Sequence, residues 1–358
     1  MTQTLVRSGE LVFVKCVKDG IPNRDPLRES DARRVFGDDD GRISLTDVSI
    51  KRDVRDYVLA RFADGGKNPN YHVFVQKVLT PEGKLLGRGG LADRILEAYR
   101  QARPAPSPPP EEKLPRKKGK APDTASDDKS DLLAAAFDMR VFGAVFSVKN
   151  KSFSQTGPVQ FGWAHSLHPV ETKYVQGTVC MPSEEASASA AETEASSAGK
   201  TAGTIWTQYY LPFAVFAMPG VINAKIAEDT GMTEHDVTVL LEGLWQGTRH
   251  RQARGRGIQR PLFLLHVEYH DPFFRIGFLD EAISLIPGRD ADGRARWLGG
   301  SPPTDLAHVV LDVTQLAARL HKYRQAIARA RYCLEPELRL QGSLPDFVQL
   351  TEFAAPGE

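Results

Sequence analysis

Two stretches with nothing to bury set the frame in which this chain can fold. Residues 103–131 read RPAPSPPPEEKLPRKKGKAPDTASDDKSD, and residues 183–203 read SEEASASAAETEASSAGKTAG. Segments so poor in apolar side chains cannot offset the entropy lost on ordering. The sequence therefore predicts two flexible insertions, the first extended and polyproline-like, the second a loop tip. Neither leaves enough sequence before it to form a separate domain, so the expectation is one core interrupted twice.

The remainder can supply that core. With 358 residues, 41% of them hydrophobic and 25% charged, the balance is globular. No apolar run nears the roughly 20 residues of a membrane helix, and the N-terminus lacks a signal-like apolar region. The cytoplasm is the expected location. Cys16, Cys180 and Cys333 are odd in number and far apart, which offers neither a disulfide framework nor a metal knuckle. All three read as reduced core thiols.

ELVFVKCV, residues 10–17, alternates as a buried or half-buried strand does. The following LTDVSIKRDVRDYVLARF predicts a helix capped by Thr46 or Asp47, with an inward stripe of Val48, Ile50, Val54, Tyr57 and Val58. HVFVQKVL predicts a strand and ADRILEAYRQA a helix. A short helix at SDLLAAAF and a strand over residues 139–148 come next. TIWTQYYLPFAVFAMPGVI reads as β-rich, EHDVTVLLEGLWQG as a helix capped by Thr233, and RPLFLLHVEYH as a further strand. This mixture predicts α+β with an antiparallel sheet, because strict alternation with a glycine-rich first turn is missing.

Formal net charge is only +1, but the distribution is uneven, and distribution decides what a surface binds. Residues 246–260, QGTRHRQARGRGIQR, carry Arg249, Arg251, Arg254, Arg256 and Arg260 with no acid. Residues 315–334 carry Arg319, Lys322, Arg324, Arg329 and Arg331, again with no acid. Leu316, Leu320, Tyr323, Ile327 and Leu334 there recur at helical spacing and predict a C-terminal helix with a cationic face. Lys51, Arg52 and Arg55 cluster on the first helix. Each run reads either as a polyanion-binding surface or as a solvated face balanced by acids elsewhere.

Catalytic patterns are missing. There is no phosphate-cradling Gly-x-x-x-x-Gly-Lys motif and no Gly-x-Ser-x-Gly elbow, and Cys180 has no histidine nearby in sequence. His266, Glu268 and His270 alternate, giving either a two-histidine, one-carboxylate metal face or a polar sheet face. Nucleic-acid binding without catalysis fits better. Residues 148–169 place Lys149, Lys151, Phe153, Gln160, Phe161, Trp163 and His165 in one stretch. As an extended hairpin it can press against a single strand, or Phe161 and Trp163 can alternate into the core.

The motifs NRDP, TDVSIKRDVRDYV, RVFGAVFSV, TGPVQFGWAHSLHPV, LPFAVFAMPGVINA and TGMTEHDVTVLLEGLW, in that order, resemble the CRISPR-associated Cas-seven family. These are backbone subunits of type I Cascade, and the likeness is greatest to the I-B and I-C branches. The resemblance implies an RNA-recognition-motif-like (ferredoxin-like) palm with inserted helical fingers and a thumb hairpin. Carried onto this chain, palm segments fall at residues 1–61, 138–148 and 205–358, fingers at 62–137, and the thumb at 149–204 with its tip at 183–203. Copies would oligomerise along a guide RNA in antiviral defence, displaying it so that base pairing reads the target DNA.

The RNA contacts implied are Asn23 and Arg24, Lys51, Arg52 and Arg55, then Lys149, Lys151, Gln160, Trp163 and His165, and finally Arg251, Arg254 and Arg256. Lys51 and Arg55 are expected on a solvent-facing stripe. Partners implied are guide RNA, target DNA through the guide, further copies, other Cascade subunits and a recruited nuclease or transposition system. No cofactor, metal or membrane is called for. Two rivals stay open: a type III-like endoribonuclease using Asp25, which otherwise reads as a turn or ion-pair residue, and a generic single-stranded RNA binder.

Overall fold

The computed structural model describes residues 6–102, 124–148, 151–178, 205–253, 255–297 and 301–351. Residues 103–123 of the first predicted insertion and all of the second lie outside the described residues, as do Lys149, Cys180, Arg254 and the side chain of Lys151, whereas residues 124–131, expected to be flexible, are helical. In chain order the elements are β1 (Gly9–Lys18), β2 (Ser44–Leu45), α1 (Asp47–Phe62), α2 (Arg88–Ala102), α3 (Thr124–Ala135) and α4 (Phe137–Phe142). Next come β3 (Gly143–Val148), β4 (Lys151–Thr156), β5 (Val159–Phe161), β6 (Ala164–Ser166), β7 (Lys173–Thr178), β8 (Ile205–Tyr210) and β9 (Phe213–Ile222). The last third holds α5 (Ala224–Thr230), α6 (Glu234–His250), β10 (Ile258–Tyr269), β11 (Ser284–Pro287), β12 (Val309–Asp312), α7 (Thr314–Lys322), β13 (Ile327–Leu334), β14 (Arg339–Gln341) and β15 (Val348–Leu350). Among the described residues, no helix is long and apolar enough to cross a membrane.

The main sheet runs β15-β13-β10-β1-β9-β6-β2, with β5 also on β9. Its ladders are antiparallel except β13 with β15. In β1 the period of two sends Leu11, Phe13 and Val17 to one core and Val12, Val14 and Cys16 to another. Helices α1 and α6 cover the first face with Val54, Val58, Leu240 and Leu244. They cross closely because α6 carries Gly247: a Cβ there would lie 2.3 Å from the Asp53 carbonyl oxygen. The second face is covered by Leu316 and Leu320 of α7 and by Leu285, Val309 and Leu311 of the small β11-β12-β14 sheet. With both faces packed, bases cannot stack on the sheet itself. A third core joins α2, α3 and β3 through Ile95, Leu96, Leu132 and Phe146. Each such large side chain contributes about 1.5–3 kcal/mol by leaving water.

Helix α6 starts as the sequence predicts, with Thr233 and Asp236 forming a reciprocal capping box. At α1, Thr46 is the N-cap residue but caps no helix amide; its hydroxyl donates to Asn23 Oδ1.

Four expectations are corrected. HVFVQKVL forms no strand: the amides of His72, Phe74 and Val75 donate to the Ala135 carbonyl and the Asp138 carboxylate instead of a neighbouring strand. The strand expected over 139–148 begins only at Gly143, because Phe137–Phe142 is helical and buried all round, so no periodicity marks it. The C-terminal helix ends at Lys322, and Ile327–Leu334 instead pairs with β10 as a sheet strand. Val48 is 64% exposed and leaves the inward stripe of α1. Cys16 and Cys333 are buried as expected.

His168 is nearly inaccessible beside Phe213 and Trp297. Its Nδ1 donates to the Pro169 carbonyl at 2.8 Å, and the Val215 amide donates to Nε2 at 3.4 Å. Burial lowers its pKa from 6.5 to about 4. The unfolded ring gains a proton as pH falls below 6.5, whereas the native ring does so only near 4, so stability is lost across that window. The expected total is about 3 kcal/mol. Thermal unfolding across that range should show the slope, and His168→Phe should flatten it.

Candidate nucleic-acid interface

The Lys18 end of β1 leads into the loop that closes on α1, and the arginine-glycine segment before β10 folds back onto the same place. At its centre Asp53, fully buried on α1, gathers three cations. Lys15 Nζ lies 3.0 Å from Asp53 Oδ2 and donates to Gln259 Oε1 at 2.9 Å. Arg251 Nη1 donates to Asp53 Oδ1 at 2.8 Å and to the Ser49 carbonyl at 3.1 Å. Arg256 reaches Asp53 Oδ1 at 3.4 Å and the Pro22 carbonyl at 2.6 Å. Asp56 is shared by Arg52 at 2.7 Å and Arg251 at 3.3 Å. Four cations thus divide two carboxylates between them.

Burial pushes the Lys15 pKa down, and the attraction of Asp53 does not fully offset it. The Arg256 pKa is likewise lowered, first by burial. Three buried polar atoms joined to this cluster have no hydrogen-bond partner: Ser49 Oγ, Arg256 Nε and Gln259 Nε2. Buried excess cation and spare donors are the requirements of an anion site, phosphate being the anion that nucleic acid supplies.

Arg24 completes the rim. A Cβ on Gly255 would sit 1.8 Å from Arg24 Nη2, and Gly255 holds φ +79°, so both space and backbone require glycine there. Gln208 of β8 adjoins the same point. Among the described residues Arg24 has no carboxylate partner. Asn23 acts one step back: its Oδ1 accepts from the Thr46 amide and hydroxyl, both at 2.9 Å, and so closes the loop.

The other expected contacts are placed differently. Lys51 is paired with Asp47 at 2.8 Å and Arg52 with Asp56. Neither Lys51 nor Arg55 faces solvent, which corrects the expected stripe: the Lys51 side chain is only 13% exposed, and Arg55 is buried, with Nε 2.8 Å from Asp138 Oδ2. Gln160 Nε2 donates to the Gly157 carbonyl. Of the two aromatics in that stretch, Phe161 packs on the core and Trp163 stays 41% exposed. His165 meets Ser44 Oγ at 2.9 Å and the Phe36 ring at 4.6 Å, and burial lowers its pKa. Lys149 and Arg254 are outside the described residues.

Several cationic positions are spent internally. Arg249 and Arg260 pair with Glu335, while Arg329 bonds Glu268 and Glu234. Glu268 is therefore engaged by arginine, His266 faces Arg331 at 3.3 Å, and His270 is exposed. Asp25 Oδ1 accepts from the Leu27 amide at 3.0 Å, the geometry of an Asx turn. Sequence reasoning missed Lys15, Asp53 and Gln259. The available signal was a lone cation inside an otherwise apolar strand, which cannot be buried without a partner.

The fold so built is a mixed one of helices on a mainly antiparallel sheet, with a cation-rich cluster at the Lys18 end of β1. The family model for CRISPR-associated protein Cas7 matches residues 7–297, and the chain belongs to that family. Among solved structures, its fold is similar to a chain described as "CRISPR RNA-guided surveillance complex, pre-nicking", with TM-score 0.52 and 14% identity, covering 97% of this chain and 96% of that one. A second, described as "CRISPR RNA-guided surveillance complex", gives TM-score 0.51 and 12% identity, covering 97% and 95%. No curated protein matches the sequence.

Proposed function

We propose that this chain is a non-catalytic backbone subunit of a type I Cascade complex, which binds guide RNA and repeats along it. The observation that carries this, beside family membership, is the cation-rich cluster around Asp53 with its three unpartnered buried polar atoms. A guide phosphodiester seated against Arg24, Arg251 and Arg256 would neutralise the excess charge. The protein then reads phosphate positions, and base pairing reads the target. Partners are the guide, target DNA through it, further copies and other Cascade subunits, in the cytoplasm.

A ferredoxin-like palm is part of the proposal. The order β10-β1-β9-β6, with α1 following β1 and α6 linking β9 to β10, supports it. In this reading residues 62–137 are fingers; of the expected thumb, 149–204, β5 and β6 join the main sheet on β9, and the β7–β8 ladder, Thr178 opposite Ile205, supports a hairpin that runs past residue 204.

The test is to express the protein with a CRISPR transcript and its processing partners, purify it, add complementary RNA with magnesium, and resolve the nucleic acids on a denaturing gel. Protected guide-length RNA with intact target is the expected result. Regularly spaced target fragments, lost in Asp25→Ala, would move the chain to the cutting class. For the isolated site, Arg24→Ala should weaken RNA binding evenly across sequences and reduce the slope of log affinity against log salt by about 1. An unchanged slope would remove Arg24 from the phosphate path.

A further inference from the structure

The small sheet β11-β12-β14 turns one face inward and one outward. Leu285, Val309 and Leu311 point into the core against the main sheet. Alternation then sends Ile286, Val310 and Arg339 outward, and the ladders set these three in one row, Ile286 opposite Val310 and Val310 opposite Arg339. The hairpin that follows β11 forms a second wall. In it Arg289 bridges Ala295, the Arg296 amide donates to the Gly288 carbonyl at 2.8 Å, and Asp290 Oδ1 accepts from the Arg294 amide at 2.8 Å. Between sheet and hairpin lies a cavity of about 400 Å³.

The charge on its walls is of one sign. Arg289 and Arg339 line it, and no carboxylate does. Each guanidinium is steadied by one backbone carbonyl, Arg289 Nη1 donating to Gly293 at 2.7 Å and Arg339 Nη2 to Ala307. Among the described residues neither has a carboxylate partner, and the other N–H donors of both are left over. The acids nearby are engaged. Asp290 accepts amides of its own hairpin, Asp312 accepts from the Thr314 amide and from Gln341 Nε2, and Asp292 lies 3.8 Å from Arg294. Gln341 also lines the cavity, and with its Nε2 given to Asp312 its Oε1 remains as an acceptor. Ile286, Pro287 and Val310 supply an apolar floor.

Paired guanidinium groups bind phosphate through parallel N–H bonds. The volume is that of a small-molecule site, the floor suits the flat face of a base, and Gln341 Oε1 can accept from a base N–H. A nucleotide uses all three features, whereas a run of acidic side chains uses the arginines alone. We propose that this cavity is a second phosphate site, in which Arg289 and Arg339 hold the phosphate of a nucleotide whose base rests on Ile286, Pro287 and Val310. The main sheet separates it from the Asp53 cluster, since α1 covers one face of that sheet and β12 the other. The inference therefore stands apart from the guide-binding reading. A free nucleotide and a nucleotide within a strand present the same group to the arginines, and the test separates them.

Isothermal titration of the full chain with adenosine monophosphate, and separately with a DNA hexanucleotide, is that test. Arg289→Gln with Arg339→Gln removes the charge at two exposed positions, and Ala295→Glu, on the hairpin wall, sets a carboxylate against the phosphate. Both variants should keep the wild-type thermal midpoint and the wild-type retention of guide RNA. In each, affinity for adenosine monophosphate should fall at least about tenfold, and the hexanucleotide should lose one binding site per chain. Loss for the mononucleotide alone assigns the cavity to free nucleotides, and loss for the hexanucleotide alone assigns it to a strand; both support the proposal. Unchanged binding of both probes would overturn it. So would an oligoglutamate peptide whose binding depends on the two arginines while neither nucleotide probe does, since the partner would then be an acidic protein. Guide RNA lost together with the arginines would also overturn it, because the cavity would then belong to the guide path.

Discussion

Asp53→Asn is expected to destabilise the free protein by about 3–5 kcal/mol, seen as a lowered thermal midpoint, because it removes the charge that Lys15, Arg251 and Arg256 share. Three cations would remain crowded around an amide, Lys15 with almost no access to water. RNA binding should respond in the opposite sense. If the cluster faces a phosphate, losing Asp53 raises the local positive charge, so RNA should raise the midpoint of the variant more than that of the wild type. Lys15→Met is the control from the other side. It deletes one of the surplus cations and leaves Asp53 with both arginines, so its cost should be the smaller one, about 1–3 kcal/mol, set by the Gln259 Oε1 acceptor that loses its donor. A small loss in Asp53→Asn, or RNA that stabilises both proteins equally, would mean the cluster neither carries the junction of β1, α1 and β10 nor receives the phosphate.

The contrast between these variants shows what the sequence makes legible and what it hides. β1 and β10 are readable because their apolar runs are long and bounded, and α6 because Thr233 and Asp236 announce its start. The segment after Lys322 was not. Leu316, Leu320, Tyr323 and Ile327 fit a helix, but β10 presents a strand edge whose backbone groups need a partner, and Ile327–Leu334 supplies it. Cation-rich segments stand out in the sequence, yet whether a given arginine is available depends on carboxylates far away in the chain. Arg251 meets Asp53 198 positions earlier, and Arg329 meets Glu268 61 positions earlier. No local pattern encodes such pairs. That is why Arg251 and Arg256 come together around Asp53, while Arg55, Arg260 and Arg329 pair with Asp138, Glu335 and Glu268 elsewhere.

The same reasoning makes α4 the second point of large effect. All six of its residues are buried, and its two charged side chains reach separate partners. Asp138 accepts from Arg55 on α1 and from the Phe74 and Val75 amides, while Arg140 bonds both oxygens of Asp236 on α6, at 3.0 and 2.7 Å, and the carbonyls of Leu133, Ala134 and Asn70. The α2–α3 region is thereby riveted to the α1–α6 face. Arg140→Leu strands a buried carboxylate and three carbonyl oxygens, and should lower stability by about 3–5 kcal/mol in thermal or denaturant unfolding. Because the Arg140 guanidinium is one of the groups holding the Asp236 pKa down, the loss should ease at acid pH, where the stranded carboxylate can take a proton. Arg140→Leu combined with Asp236→Leu should recover part of the loss, less the capping of α6 that Asp236 provides, and a cycle of the single and double variants isolates the pair. Additive losses would show that the two residues do not act as a pair. Lys51→Ala offers the comparison: its partner Asp47 is one helical turn away and partly exposed, so its loss should cost less than about 1 kcal/mol. A pair of variants at Lys51 and Arg55 would therefore test folding before it tested RNA retention, and Lys51 must be changed alone for its part in binding to be read.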